Sequence, residues 1–69
     1  MNKKLALLRF LTLRRAWFGA AELARELSIK PGSVSPFLTD LQQAELVKQR
    51  VGPDGGLQYA SRLKFEEPE

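Results

Sequence analysis

Residues 20–51, AAELARELSIKPGSVSPFLTDLQQAELVKQRV, restrict the fold of this chain more than any other part of it. Over 20–27, Leu23, Ala24 and Leu27 fall on one side of a helix, and Glu22, Arg25 and Glu26 on the other. Gly19 is placed to act as its N-cap. Ser28, Ile29 and Lys30 make a turn, in which the apolar Ile29 is expected to plug the gap between two helices. Pro31 suits the first position of the next helix, because the N–H it lacks has no intrahelical partner there. Val34, Leu38 and Leu41 then recur at i, i+4 and i+7, forming one buried stripe, and Ala44 and Glu45 close the helix. Residues 46–51 follow as a strand, with Val47 and Val51 around the polar run Lys48, Gln49 and Arg50. Two short helices meeting at a tight step and running straight into a strand leave few arrangements open.

The flanking segments complete the pattern. Residues 3–16 read as a first helix, free of glycine and proline, and Trp17 and Phe18 as a short extended bridge to Gly19. Gly52-Pro53-Asp54-Gly55-Gly56 is the strongest turn signal in the chain. Pro53 presets φ at the first corner, Asp54 follows, and the glycines supply positive φ. Residues 57–61 return as a second strand with Leu57 and Tyr59 on one face, so the two strands make a hairpin that 62–65 can extend. The expected fold class is α+β, mainly α: three helices and a C-terminal β-hairpin. Sixty-nine residues make one domain, here 1–65, followed by a flexible acidic tail at 66–69.

Charge narrows the partner. The net charge is +3, but Glu66, Glu67 and Glu69 supply three of the eight acids, so residues 1–65 carry eleven basic groups against five acidic ones, a net +6. A small basic body points to a polyanion. Histidine and cysteine are both absent, which removes nucleophile–imidazole pairs, thiolate metal sites and disulfides. Glu22 and Glu26 are spaced as a carboxylate pair, yet they flank Arg25 on an outward helix face and read as a solvated, locally paired surface. No catalytic residue, metal site, cofactor or small-molecule substrate is expected. The apolar run after Lys3 and Lys4 is interrupted by Arg9 and followed by Arg14 and Arg15, so it reads neither as a leader nor as a membrane span. Residence in the cytoplasm, with no membrane partner, is the expectation.

The first helix has more apolar surface than one stripe. Leu5, Ala6, Leu7, Leu8, Phe10, Leu11, Leu13 and Ala16 nearly encircle it, whereas a surface helix needs an apolar arc about 100° wide. The excess is expected to meet a second copy of the chain, with Leu7, Phe10, Leu11 and Trp17 at the seam of a homodimer; the alternative is a monomer in which Arg and Lys stems cover it. Phe18 is expected in the core beneath the second helix, and Phe37 half-buried against the hairpin.

The order helix, helix, turn, helix, strand, Gly-rich loop, strand resembles the winged helix-turn-helix family, in particular bacterial repressors of the MarR and ArsR type. The residues that carry the likeness are AAELARELSIKPGSVSPFLTDLQQAELVKQR, against a family pattern like xELAxxLxxxxxxVSxxLxxLxxxGLVxxx. The likeness implies a DNA-binding protein, a transcriptional regulator, on double-stranded DNA. Its third helix would enter the major groove, with Lys30, Ser33, Ser35 and Thr39 toward bases or phosphates. Lys48, Arg50 and Gln58 would lie on a wing that grips the backbone. Together these residues are expected to form one electropositive surface. Three positions depart from the pattern. Pro36 stands where many relatives place arginine, so a helix beginning at Pro31 is either kinked there or starts later, with Ser33 or Ser35 as cap. Lys30 replaces a capping Ser or Thr, and Glu45 replaces a helix-ending glycine. The third helix has no Arg, Asn or Gln before Gln42, and Asp40 is negative, so affinity is expected mainly from phosphate contacts. The alternative is a winged-helix module that docks on a protein without reading DNA sequence.

Overall fold

The structure, a computed structural model, describes residues 2–63. The expected acidic tail and the last two residues of the expected domain lie outside that range. The elements are α1 (Lys3–Arg14), β1 (Phe18–Gly19), α2 (Ala20–Leu27), α3 (Pro31–Gln43), β2 (Val47–Val51) and β3 (Leu57–Ser61).

Each helix begins at a residue that serves its free N–H groups or has none to serve. The Asn2 side chain caps α1, its Oδ1 accepting from the Leu5 N–H at 3.1 Å. Gly19 has no side chain to cap α2, but Glu22 Oε1 accepts the Gly19 N–H at 3.1 Å, which is the reciprocal half of a capping box. Pro31 opens α3, and the Ser33 N–H donates to the Lys30 carbonyl at 2.9 Å. The helix therefore does not start late. It continues through Pro36 to Gln43, losing one bond at the carbonyl of Gly32, where both residues are exposed.

The helix ends are left-handed without glycine. Arg15, Ser28 and Glu45 have φ of 52°, 53° and 61°. At Glu45 the N–H donates to the Gln42 carbonyl, and the following Leu46 N–H to the Leu41 carbonyl, each at 2.9 Å. This is a Schellman closure with glutamate in the place usually held by glycine. The α2 end repeats it, with Ile29 donating to Ala24 at 2.9 Å. That bond turns Ile29 inward, and it is buried as expected.

The sheet is antiparallel with order β1-β3-β2. The hairpin joins β2 to β3 in the register Val47↔Ser61, Gln49↔Tyr59, Val51↔Leu57. The bridge at Phe18 is a short strand on the other side of β3, paired Phe18↔Tyr59 and Gly19↔Gln58. The loop follows its chemistry. Gly55 donates to the Gly52 carbonyl at 3.0 Å, Asp54 Oδ1 accepts from the Gly56 N–H at 3.0 Å, and Gly55 alone takes a positive φ, 86°.

The core is Leu7, Leu8, Leu11, Leu23, Ala24, Ile29, Val34, Leu38, Leu41 and Val47, with Phe10, Phe18, Phe37 and Tyr59 packed against it. One polar chain, buried at Thr12 and partly exposed at Ser61, ties α1 to β3. Thr12 Oγ1 donates to the Leu8 carbonyl at 2.8 Å and lies 2.7 Å from Ser61 Oγ, which accepts from the Leu63 N–H at 3.0 Å. With the Thr12 proton committed to Leu8, the Ser61 hydroxyl donates to Thr12.

Candidate nucleic-acid interface

On α3 the stripe Val34, Leu38 and Leu41 faces the core, and a rotation of about 100° per residue sorts the rest. Gly32, Pro36, Thr39 and Gln43 fall on the side opposite the stripe, with Asp40 toward one margin of it and Ser35 at the other, and all six are exposed. Ser33, half-buried, lies on the flank beyond Asp40. That flank is turned toward α1, where Asp40 pairs with Lys4 at 3.5 Å. The negative charge of α3 is thus partly balanced by Lys4 but stays at the margin of the outward side. Thr39 Oγ1 donates to the Ser35 carbonyl at 3.0 Å, so its hydroxyl offers lone pairs outward rather than a proton. Lys30 is exposed at the N-cap.

The hairpin presents two different faces. Gln49 points from β2 toward the C-terminal end of α3. Gln42 Nε2 donates to Gln49 Oε1, and Gln49 Nε2 donates to Tyr59 Oη, both at 3.3 Å. Alternation puts Lys48 and Arg50 on the opposite face. There the Arg50 guanidinium carbon stands 4.4 Å from the Trp17 ring centroid, and Lys48 Nζ 5.5 Å from it. Arg50 Nε donates to Gln58 Oε1 at 2.9 Å. The expected single electropositive surface is therefore divided. Lys48, Arg50 and Gln58 come together, while Ser35 and Thr39 share the outward side of α3. Lys30 stands about 18 Å along the helix from Gln42, the residue that meets the hairpin. Gln43, Gln49 and Trp17 were missed as surface residues of this region. Strand alternation from the buried Val47 signals the placement of Gln49, and a period of 3.6 from Leu38 signals that of Gln43.

The expected dimer seam needs correction. Leu7 and Leu11 have no exposed surface and belong to the chain's own core. Phe10 is half-buried, its ring centroid 5.1 Å from that of Phe18, with the Arg14 guanidinium 5.2 Å above it. Trp17 lies with the hairpin cations. The reason is geometric: α1 is covered both by α3 and by β3, an arc wider than one neighbour requires. Leu5 and Leu13, 60% and 46% exposed, are the large apolar residues that α1 leaves outward. Among the described residues no helix is long and apolar enough to cross a membrane.

No family model matches the chain, and no curated protein matches it. A solved structure does: ZitR of Lactococcus lactis, a cysteine-to-serine mutant in complex with DNA. It is 28% identical, aligns over 80% of this chain and has a TM-score of 0.64. The match spans 40% of the ZitR chain. With α2 and α3 as the helix pair, α1 behind them and β2–β3 as the wing, the chain folds as a winged helix-turn-helix, as its resemblance to MarR- and ArsR-type domains implies.

Proposed function

We propose that the chain is a small double-stranded-DNA-binding protein that regulates transcription. The observation that carries this reading is the likeness, over 80% of the chain, to a protein solved on DNA. The net charge of +6 on residues 1–65 supports it. In this reading α3 enters the major groove with Ser35, Thr39 and Gln43 outward. Gln43 adds the one side chain of that face able to bond adenine bidentately. Lys30 neutralises a phosphate at the start of the helix, with Ser33 beside it. Lys48 and Arg50, with Gln58, grip the backbone from the wing. Two copies meet through the outward face of α1, where Leu5 and Leu13 are exposed, and so present half-sites about one helical turn apart.

Fluorescence anisotropy on a mixed-sequence duplex across a salt series tests the reading. Binding at low salt should weaken steeply, with a log–log slope of about −0.9 per phosphate neutralised. No binding to any duplex at low salt refutes it.

A second reading, a protein-docking module, is favoured by the wing tip. Val51 and Leu57 face each other across the hairpin and are 67% and 50% exposed. An affinity for one protein partner that does not change with salt would support that reading over the first.

A further inference from the structure

We infer that Trp17 holds Lys48 and Arg50 as a two-cation site for one stretch of DNA backbone phosphate, on the sheet face turned away from α3. The inference rests on the DNA-binding reading above and adds to it the residue that shapes the wing's contact. Trp17 precedes β1, and its side chain lies opposite in sense to that of Phe18, which packs on the core. The indole is therefore brought to the outer face of the sheet. From β2, on the far side of the central strand β3, Lys48 and Arg50 both reach to it, at 5.5 Å and 4.4 Å.

This arrangement brings two like charges to one ring, where they repel. The π face compensates part of that repulsion, and Gln58 Oε1 fixes the guanidinium through Nε at 2.9 Å. Neither cation pairs with a carboxylate among the described residues. An anion would balance the two charges. The bond from Nε to Gln58 leaves the terminal N–H groups of Arg50 to donate to one, as phosphate oxygens require. Lysine and arginine stems are otherwise long and freely rotating, and ordering them on binding costs affinity. An indole that already orients both removes much of that cost. Trp17 is thus a positioning residue, and the phosphate contacts belong to Lys48 and Arg50.

The test uses the full chain with the same duplex and salt series. Lys48→Met and Arg50→Met each lower the salt slope by about 1, because each removes a phosphate contact. Trp17→Ala leaves the slope at the wild-type value, since both charges remain, but weakens binding roughly three- to tenfold. Trp17→Phe keeps a π face and recovers most of that loss. The wild-type chain supplies a check that needs no variant. Trp17 is its one tryptophan, and its emission should change along the same curve as the anisotropy. If the wild type binds no duplex, the DNA-binding reading fails and the site fails with it. If it binds, but the two methionine variants keep the full slope or tryptophan emission stays constant through saturation, the site is overturned while the DNA-binding reading stands. Equal affinities for the wild type and Trp17→Ala overturn the positioning role.

Discussion

Replacing Glu45 with glycine tests how α3 is brought to a stop. Glu45 holds φ at 61° so that its N–H and that of Leu46 can close the helix on Gln42 and Leu41. A residue with a Cβ adopts this conformation at a cost of about 1–2 kcal/mol. Glycine adopts it freely but loses more backbone entropy on folding, which returns about 0.5–1 kcal/mol. The difference leaves Glu45→Gly more stable by about 0.5–1 kcal/mol. In a domain this small, 1 kcal/mol moves Tm by about 4–8 °C, so the expected rise is about 2–8 °C. Glu45→Ala separates the backbone effect from loss of the exposed carboxylate, because alanine keeps the Cβ and should gain nothing. Thermal unfolding followed by far-UV circular dichroism measures all three proteins. A glycine variant that melts at or below the alanine variant refutes the reasoning, since the left-handed turn would then not be a strained one.

Thr12→Val removes the hydroxyl that receives the Ser61 proton while keeping the shape of the side chain, and should cost about 1–2 kcal/mol in urea unfolding; an unchanged midpoint would mean that the pair adds nothing. Leu11→Ala opens a cavity in the core and should cost about 2–5 kcal/mol, a large share of the stability of a small domain, so a strongly lowered urea midpoint is expected, and an unchanged midpoint would mean that the side chain is not tightly packed. Leu5 and Leu13 changed together to serine should leave the thermal transition nearly unmoved and reduce the sedimenting mass from two chains to one; an unchanged mass refutes association through α1. Gly52→Ala places a Cβ 2.8 Å from Gln58 Cδ, which must move and release Arg50 Nε; a weaker duplex affinity with little loss of stability is expected, and unchanged binding would show that Gln58 does not orient the guanidinium.

Much of the backbone plan was legible from single residues with strong local chemistry. Gly19 marked where α2 begins, Pro31 offered the start of α3 although Pro36 left a later start at Ser33 or Ser35 open, Ile29 marked the inward step between them, and the run from Gly52 to Gly56 set the hairpin. What could not be read depends on partners distant in sequence. The two-residue strand β1 carries no propensity signal of its own and exists because Tyr59 and Gln58 lie beside it. The apolar girdle of α1 implied a surplus face, but a wheel drawn for one helix does not show that both α3 and the sheet cover it. Leu7 and Leu11 were therefore placed at a seam when they belong to the interior. Glu45 gave no sign of a left-handed turn, because the bonds to Gln42 and Leu41 impose that conformation against its own preference. In the candidate site, the resemblance placed Lys48, Arg50 and Gln58 on the wing, and the hairpin register Arg50↔Gln58 is what brings them to one face. The sequence did not reveal that Trp17, about thirty residues earlier, lies across the sheet from them.

The third strand in the chain is the middle strand of the sheet. A chain growing from the ribosome therefore has its helices and both outer strands before it has the one strand that joins them. Phe18, Gly19 and Thr12 find their partners only when residues 58–61 emerge, so the sheet forms as a late, all-at-once event. A stop codon between residues 44 and 56 should yield three helices with no sheet to close over them, a product for the proteases rather than a weaker form of the same protein.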